Sequence, residues 1–163
     1  MTRQLAYLGL GGNLGDPIQQ IIDARREILA WEHCSMGRCS YFYRSSPVGY
    51  ANQADFINCV LQIDTTAHPL YLLDFCQQLE LSLGRLRDPK NKNAARTIDI
   101  DILMMGDLQY SDDRLELPHP RMNERLFVLL PLLDLLDAKQ QHELSKKIEN
   151  SDFGDQKVHR LVL

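Results

Sequence analysis

Ala95-Arg96-Thr97-Ile98-Asp99-Ile100-Asp101-Ile102-Leu103-Met104-Met105 is the stretch on which the reading of this chain turns. Ile98, Ile100 and Ile102 alternate with Asp99 and Asp101, so a strand puts the isoleucines on one face and both carboxylates on the other. At the rise of a strand the two acids stand about 6–7 Å apart, within reach of shared divalent cations. Like charges so close repel unless something positive lies between them. Arg85, Arg87, Lys90, Lys92 and Arg96 crowd the segment just before. Carboxylates for a metal beside cations for a phosphate chain point to phosphoryl transfer. Leu103-Met104-Met105 is apolar on both faces, which reads as a central strand rather than a wet edge.

Working outward, Leu5–Leu10 reads as a first strand ending in a glycine-rich turn, Gly9-Leu10-Gly11-Gly12-Asn13-Leu14-Gly15. Asp16 then caps a helix that has Pro17 at its first position. Strands follow at Cys39–Tyr43 and Phe56–Ile63, separated by the loop Ser45–Gln53. Pro69 opens a second helix, with Leu72, Phe75, Cys76, Leu79 and Leu83 as its apolar stripe and Gly84 as its stop. Beyond the acidic strand, Arg125–Leu136 is a strongly apolar helical stretch that Pro131 should kink or divide, and the tail past Ala138 is polar. The order strand, helix, strand, strand, helix, strand implies an α+β fold of ferredoxin-like, split βαβ type. That means an antiparallel sheet with helices packed on one face, residues 1–163 forming a single domain.

The 163 residues suffice for one sizeable core, and 44% hydrophobic with 25% charged residues is ordinary for a globular chain. A net charge of −4 argues against nucleic acid as a partner, so the basic loop suits one small polyanion. Cys34, Cys39, Cys59 and Cys76 lack metal-ligand spacing, and Cys59 and Cys76 read as buried hydrophobes. With no signal peptide and no apolar run long enough for a membrane, the expectation is a cytoplasmic protein, and nothing demands more than a monomer.

The glycine turn carries Leu14 where a G-x-G-x-x-G fingerprint needs glycine, so it reads as a tight strand-to-helix turn. Gln77 and Glu80 share a helix face next to the basic loop. His119, between two prolines, lies near Arg114, Arg121 and Arg125 in sequence, a grouping that favours an anion contact. Phe56, Asn58 and Phe127 taken alone are two core aromatics and a strand residue.

Together these pieces resemble the 6-hydroxymethyl-7,8-dihydropterin pyrophosphokinases over almost the whole chain. The matching runs are Gly11-Gly12-Asn13-Leu14-Gly15, Tyr43-Arg44-Ser45-Ser46-Pro47-Val48-Gly49, Gln53-Ala54-Asp55-Phe56-Ile57-Asn58 and Gly84-Arg85-Leu86-Arg87. Arg96-Thr97-Ile98-Asp99-Ile100-Asp101-Ile102, Pro118-His119-Pro120-Arg121-Met122, Gln77 with Glu80, and Arg125 with Phe127 complete the set. The resemblance implies transfer of pyrophosphate from ATP to a reduced pterin alcohol, with release of AMP, in folate biosynthesis. By position, Asp99 and Asp101 would hold two magnesium ions (Mg2+), and Arg85 and Arg96 would contact the phosphates as catalytic groups. Gln77, Glu80, Arg87, Lys92, Ile102, Arg114, His119 and Arg125 would be further ATP contacts. Phe56 and Phe127 would sandwich the pterin, Asn58 would bond its edge, and Ser45, Ser46 and Val48 would border it. The segments Ser45–Gln53 and Arg85–Ala95 would close over the ligands. Gly12 stands where serine is common, Ala94-Ala95 where glycine-proline is common, and the basic loop lacks a tryptophan found in some members. Two other readings stay open: another magnesium-dependent ATP transferase acting on a small heterocyclic alcohol, and a non-catalytic pterin- or nucleotide-binding module.

Overall fold

Local spacing sets the elements of this chain, and long-range pairing orders them. The computed structural model describes residues 2–47, 52–84 and 97–163. In chain order these form β1 (Gln4–Gly12), α1 (Pro17–Ala30), β2 (Cys34–Cys39), β3 (Tyr43–Ser45), β4 (Phe56–Thr65), α2 (Pro69–Ser82) and β5 (Asp99–Met105). There follow β6 (Tyr110–Ser111), β7 (Glu116–Leu117), a 3-10 turn (Met122–Glu124), α3 (Leu126–Leu133), α4 (Ala138–Glu149) and β8 (Val158–Arg160). Asp16 starts α1 as expected, its side chain accepting the Gln19 N–H at 3.1 Å.

The main sheet runs β5-β1-β4-β3-β8, with β2 also on β4, and every pairing is antiparallel. With β1 between β4 and β5, this is the split βαβ core the sequence implies. One face packs Ile98, Ile100 and Ile102 against Ile21, Ala24 and Ile28 of α1 and Leu72, Cys76 and Leu79 of α2.

The other face carries Tyr7, Val60 and Leu103, and Val128 and Leu132 of α3 cover them. Helices therefore lie on both faces rather than one, because these apolar side chains also need a lid. Pro131 does not divide the helix, which runs through it. It sits near the end of the eight-residue α3, where one lost backbone bond costs little cooperativity. The polar tail hides α4, which has no buried residue but starts with a full capping box between Asp137 and Gln140.

Two further expectations need correction. β1 does not end at Leu10 but runs through Gly12, and the turn begins only afterwards, with Gly15 at φ +65°. Second, β5 is the outermost strand of the sheet, not a central one. Its outer edge is nonetheless dry. The Ile100 N–H donates to Glu80 Oε1 at 3.0 Å, and the His119 N–H donates to the Leu103 carbonyl at 2.7 Å. Apolar residues on both faces report burial, and burial here comes from α2 and the 117–119 segment rather than from another strand of the main sheet.

Candidate active site

Strand register decides which side chains meet. Gly11 lies opposite Asp99 on one side and Asn58 on the other, and Asn58 lies opposite Tyr43. One row therefore reads Asp99, Gly11, Asn58, Tyr43 across four strands, with all side chains on the α3 face. The next row pairs Asp101 with Gly9 and Gly9 with Val60. The two glycines add no side chain of their own between the carboxylates and the Asn58 amide, and Leu103 lies 3.6 Å from where a Cβ of Gly9 would stand. A Cβ at Gly11 would stand 2.5 Å from Asn58 Oδ1, so no other residue leaves that amide in place. Glycines in a strand mark such close approaches.

Asn58 is 7% exposed and donates from Nδ2 to Ser45 Oγ at 2.7 Å, which fixes its amide plane. Phe56 shares its face two residues back and is half-buried. Phe127, in the first turn of α3, packs against the same face. Tyr43 donates its hydroxyl to Asp134 at 2.9 Å and the Tyr41 N–H reaches the same carboxylate at 3.1 Å, tying β3 to the end of α3. Burial and the Asp134 carboxylate together hold the Tyr43 phenol well above the usual tyrosine range. The buried Asn13 amide donates to Gln53 Oε1 at 2.7 Å and to the Ala54 carbonyl at 2.9 Å, bracing the entry to β4.

Asp99 and Asp101 are both half-buried. Arg125 Nη1 approaches Asp101 Oδ2 at 3.4 Å, while its guanidinium lies 5.8 Å from the Phe127 ring centre. That cation eases the repulsion between the acids and links them to the aromatic side of the site. His119 faces the same region. Burial, then Arg125 and Arg121, hold its pKa below the ordinary value, with Asp99 pulling the other way. Its Nδ1 accepts the Arg121 N–H at 3.1 Å, which puts the ring proton of the neutral imidazole on Nε2.

Not every expected residue stands free to meet a ligand. Glu80 is 2% exposed and spends one oxygen on the edge of β5, between the two aspartates in sequence. Ile102 is 3% exposed with its side chain in the opposite core, which leaves only its main chain on the acidic strand. Arg114 pairs with Asp74 of α2 on the surface. Ser46 bonds the tail, its N–H donating to the Lys157 carbonyl at 3.1 Å. Gln77 is half-buried one turn before Glu80. Val48, Arg85, Arg87, Lys92 and Arg96 lie outside the described residues. Sequence reasoning missed Gly9, Gly11 and Tyr43 because their roles come from register, which no local pattern carries.

Two half-buried carboxylates opposite glycine suit magnesium. That ion binds one or two protein acids and completes its shell with phosphate and water oxygens.

A family model described as 7,8-dihydro-6-hydroxymethylpterin-pyrophosphokinase matches residues 7–137. The chain is 38% identical over 158 residues to the bifunctional protein FolKE of Lactococcus lactis subsp. cremoris, covering 96% of this chain and 45% of that protein. It is 41% identical over 135 residues to a 2-amino-4-hydroxy-6-hydroxymethyldihydropteridine pyrophosphokinase of Methylorubrum extorquens, with 83% of each chain covered. Among solved structures, an HPPK-DHPS crystal structure in complex with substrates superposes with a TM-score of 0.66 at 13% identity, over 100% of this chain and 47% of that one. This chain thus spans about half the length of its two-function relatives and most of the length of the single-function ones.

Proposed function

The chain belongs to the 7,8-dihydro-6-hydroxymethylpterin-pyrophosphokinase family, and on that premise we propose that it transfers pyrophosphate from ATP to the hydroxymethyl group of 6-hydroxymethyl-7,8-dihydropterin, releasing AMP. The observation that carries this reading is the row Asp99, Gly11, Asn58 on one face of the sheet. It puts acids suited to a metal-bound phosphate chain and an oriented amide suited to a heterocycle on neighbouring positions of one face, with only a glycine separating them along the row.

In this reading the pterin lies over the glycine floor. Asn58, held by Ser45, bonds its polar rim, while Phe56 and Phe127 supply its apolar faces. Ser46 and Val48 would border it through main-chain groups. Asp99 and Asp101 would hold two magnesium ions, which when bound offset charge on the triphosphate and on the departing AMP oxygen. Arg125 and the His119 Nε2–H face the phosphates. Arg85, Arg87, Lys92 and Arg96 are assigned there from the sequence motif alone. Gln77 and the Ile102 main chain would meet the nucleotide, and Arg114 would do so only by leaving Asp74. No strong base is required, because holding the alcohol oxygen in line with the β-phosphorus supplies much of the rate. We take the catalytic unit to be a cytoplasmic monomer acting in folate biosynthesis, since one chain supplies every side chain named.

Incubation with the pterin, ATP and magnesium is expected to release AMP in step with pyrophosphorylated pterin. Release of ADP instead would replace this reading with simple phosphoryl transfer, and a silent assay with tight pterin binding would favour a binding module.

His119 gives a pH-dependent expectation. In the unfolded chain its ring takes a proton near pH ~6.5, whereas in the fold it does so only at lower pH. The unfolded state therefore binds more protons as pH falls, and His119 draws stability down below that value while contributing nothing above it. An NMR titration should show its midpoint below that of an ordinary histidine. Addition of magnesium and a nonhydrolysable ATP analogue should raise the midpoint, because phosphate oxygens favour the cation. A midpoint at the ordinary value in the free protein would contradict the placement.

A further inference from the structure

Away from the α3 face, two thiols meet on the other side of the sheet. Cys39 ends β2 opposite Leu61 of β4, and Cys59 lies two residues before Leu61, so the pair are diagonal neighbours on one face. Register thus sets the Cys39 thiol beside Cys59, and Arg25 of α1 lies within electrostatic reach of it. Cys39 is half-buried, whereas Cys34, Cys59 and Cys76 are buried. A half-exposed thiol diagonal to a second, buried thiol on one sheet face has the ingredients of a reactive pair rather than of packing alone.

We propose that Cys39 is a peroxide-reactive thiol and that Cys59 is its resolving partner. The Cys39 thiolate attacks one oxygen of hydrogen peroxide, the O–O bond breaks, and the departing hydroxide takes up a proton to leave as water. Cys39 becomes a sulfenic acid, oxidised by two electrons while the peroxide is reduced. The Cys59 sulfur then attacks the Cys39 sulfur, and the S–O bond breaks. The hydroxide so released carries off the Cys59 thiol proton as a second water, leaving a disulfide. Diagonal strand neighbours lie farther apart than most disulfide-linked residues, so closing the bond draws the end of β2 across β4.

The charges around the pair favour the first step. The hydrogen bond from Cys59 and the Arg25 guanidinium lower the Cys39 thiol to about 7, against burial and Asp134, while Cys59 is pushed up and stays protonated. Burial pushes Cys34 and Cys76 up as well, so they serve as inert controls within one molecule.

The test uses the intact protein. Iodoacetamide labelling near neutral pH, read by peptide mass, should modify Cys39 about tenfold faster than Cys34 or Cys76. Hydrogen peroxide followed by digestion should yield a Cys39–Cys59 linked peptide that dithiothreitol reverses. In a Cys59→Ala variant the sulfenic acid should persist on Cys39 and be trapped by dimedone. If that variant fails to fold, the linked peptide from the parent protein decides alone. Equal labelling of Cys39 and the buried controls would overturn the proposal, as would a Cys39 sulfenic acid that never passes to Cys59.

Discussion

Replacing Asp99 or Asp101 by asparagine is expected to lower turnover by about a thousandfold in the AMP-release assay, with little change in fold. The reason is positional. Each acid stands on β5 directly opposite a glycine of β1, so the neighbouring strand offers no second side chain to take over. Asparagine keeps the shape and removes the charge that would hold magnesium and balance the arginines. Stability should hold or rise slightly, because one of two repelling charges is gone and the Arg125–Asp101 pair is loose and partly exposed. Far-UV circular dichroism and thermal melting check the fold, and rising magnesium should recover little activity. A variant within about tenfold of the parent rate would remove the acids from the chemistry.

The second large effect is expected from Gly11→Ala. Gly11 has no positive φ, so the backbone accepts alanine without strain. The added carbon would stand 2.5 Å from Asn58 Oδ1 and 3.3 Å from the Ile57 carbonyl, so the amide must move off its bond to Ser45. Loss of one oriented amide and the displacement of a ring that rested on the glycine predict about 10–100-fold weaker pterin binding. The nucleotide side should suffer less, because the new methyl group presses on Asn58 rather than on the acids. Steady-state KM for pterin and for ATP, measured separately, separates the two. A parent-like KM for pterin would mean that the ring does not lie over Gly11.

Glu80 shows how far helix spacing carries and where it stops. Its spacing from Gln77 places both on one face of α2, near the acidic strand. The structure turns that face inward, and the carboxylate caps the Ile100 N–H instead of facing solvent. A buried carboxylate is tolerated because it meets a backbone donor that the edge strand would otherwise leave unpaired. Nothing in the local pattern distinguishes an acid for ligand from an acid for backbone. The tail gives the converse case: α4 and β8 are short or polar, so their signals fall below those of the core elements, yet β8 completes the sheet beside β3.

What the amino-acid order determined by itself was the two-faced character of β5, the helical stripes of α1 and α2, and the motif set that marks the family. Each rests on side-chain periodicity or on neighbours close along the chain. The tertiary structure alone decided that β5 is the outermost strand, that helices cover both faces, and that glycines join the carboxylates to Asn58. Those outcomes depend on which distant segments pair and in what register, and a one-residue slip would send every side chain to the opposite face.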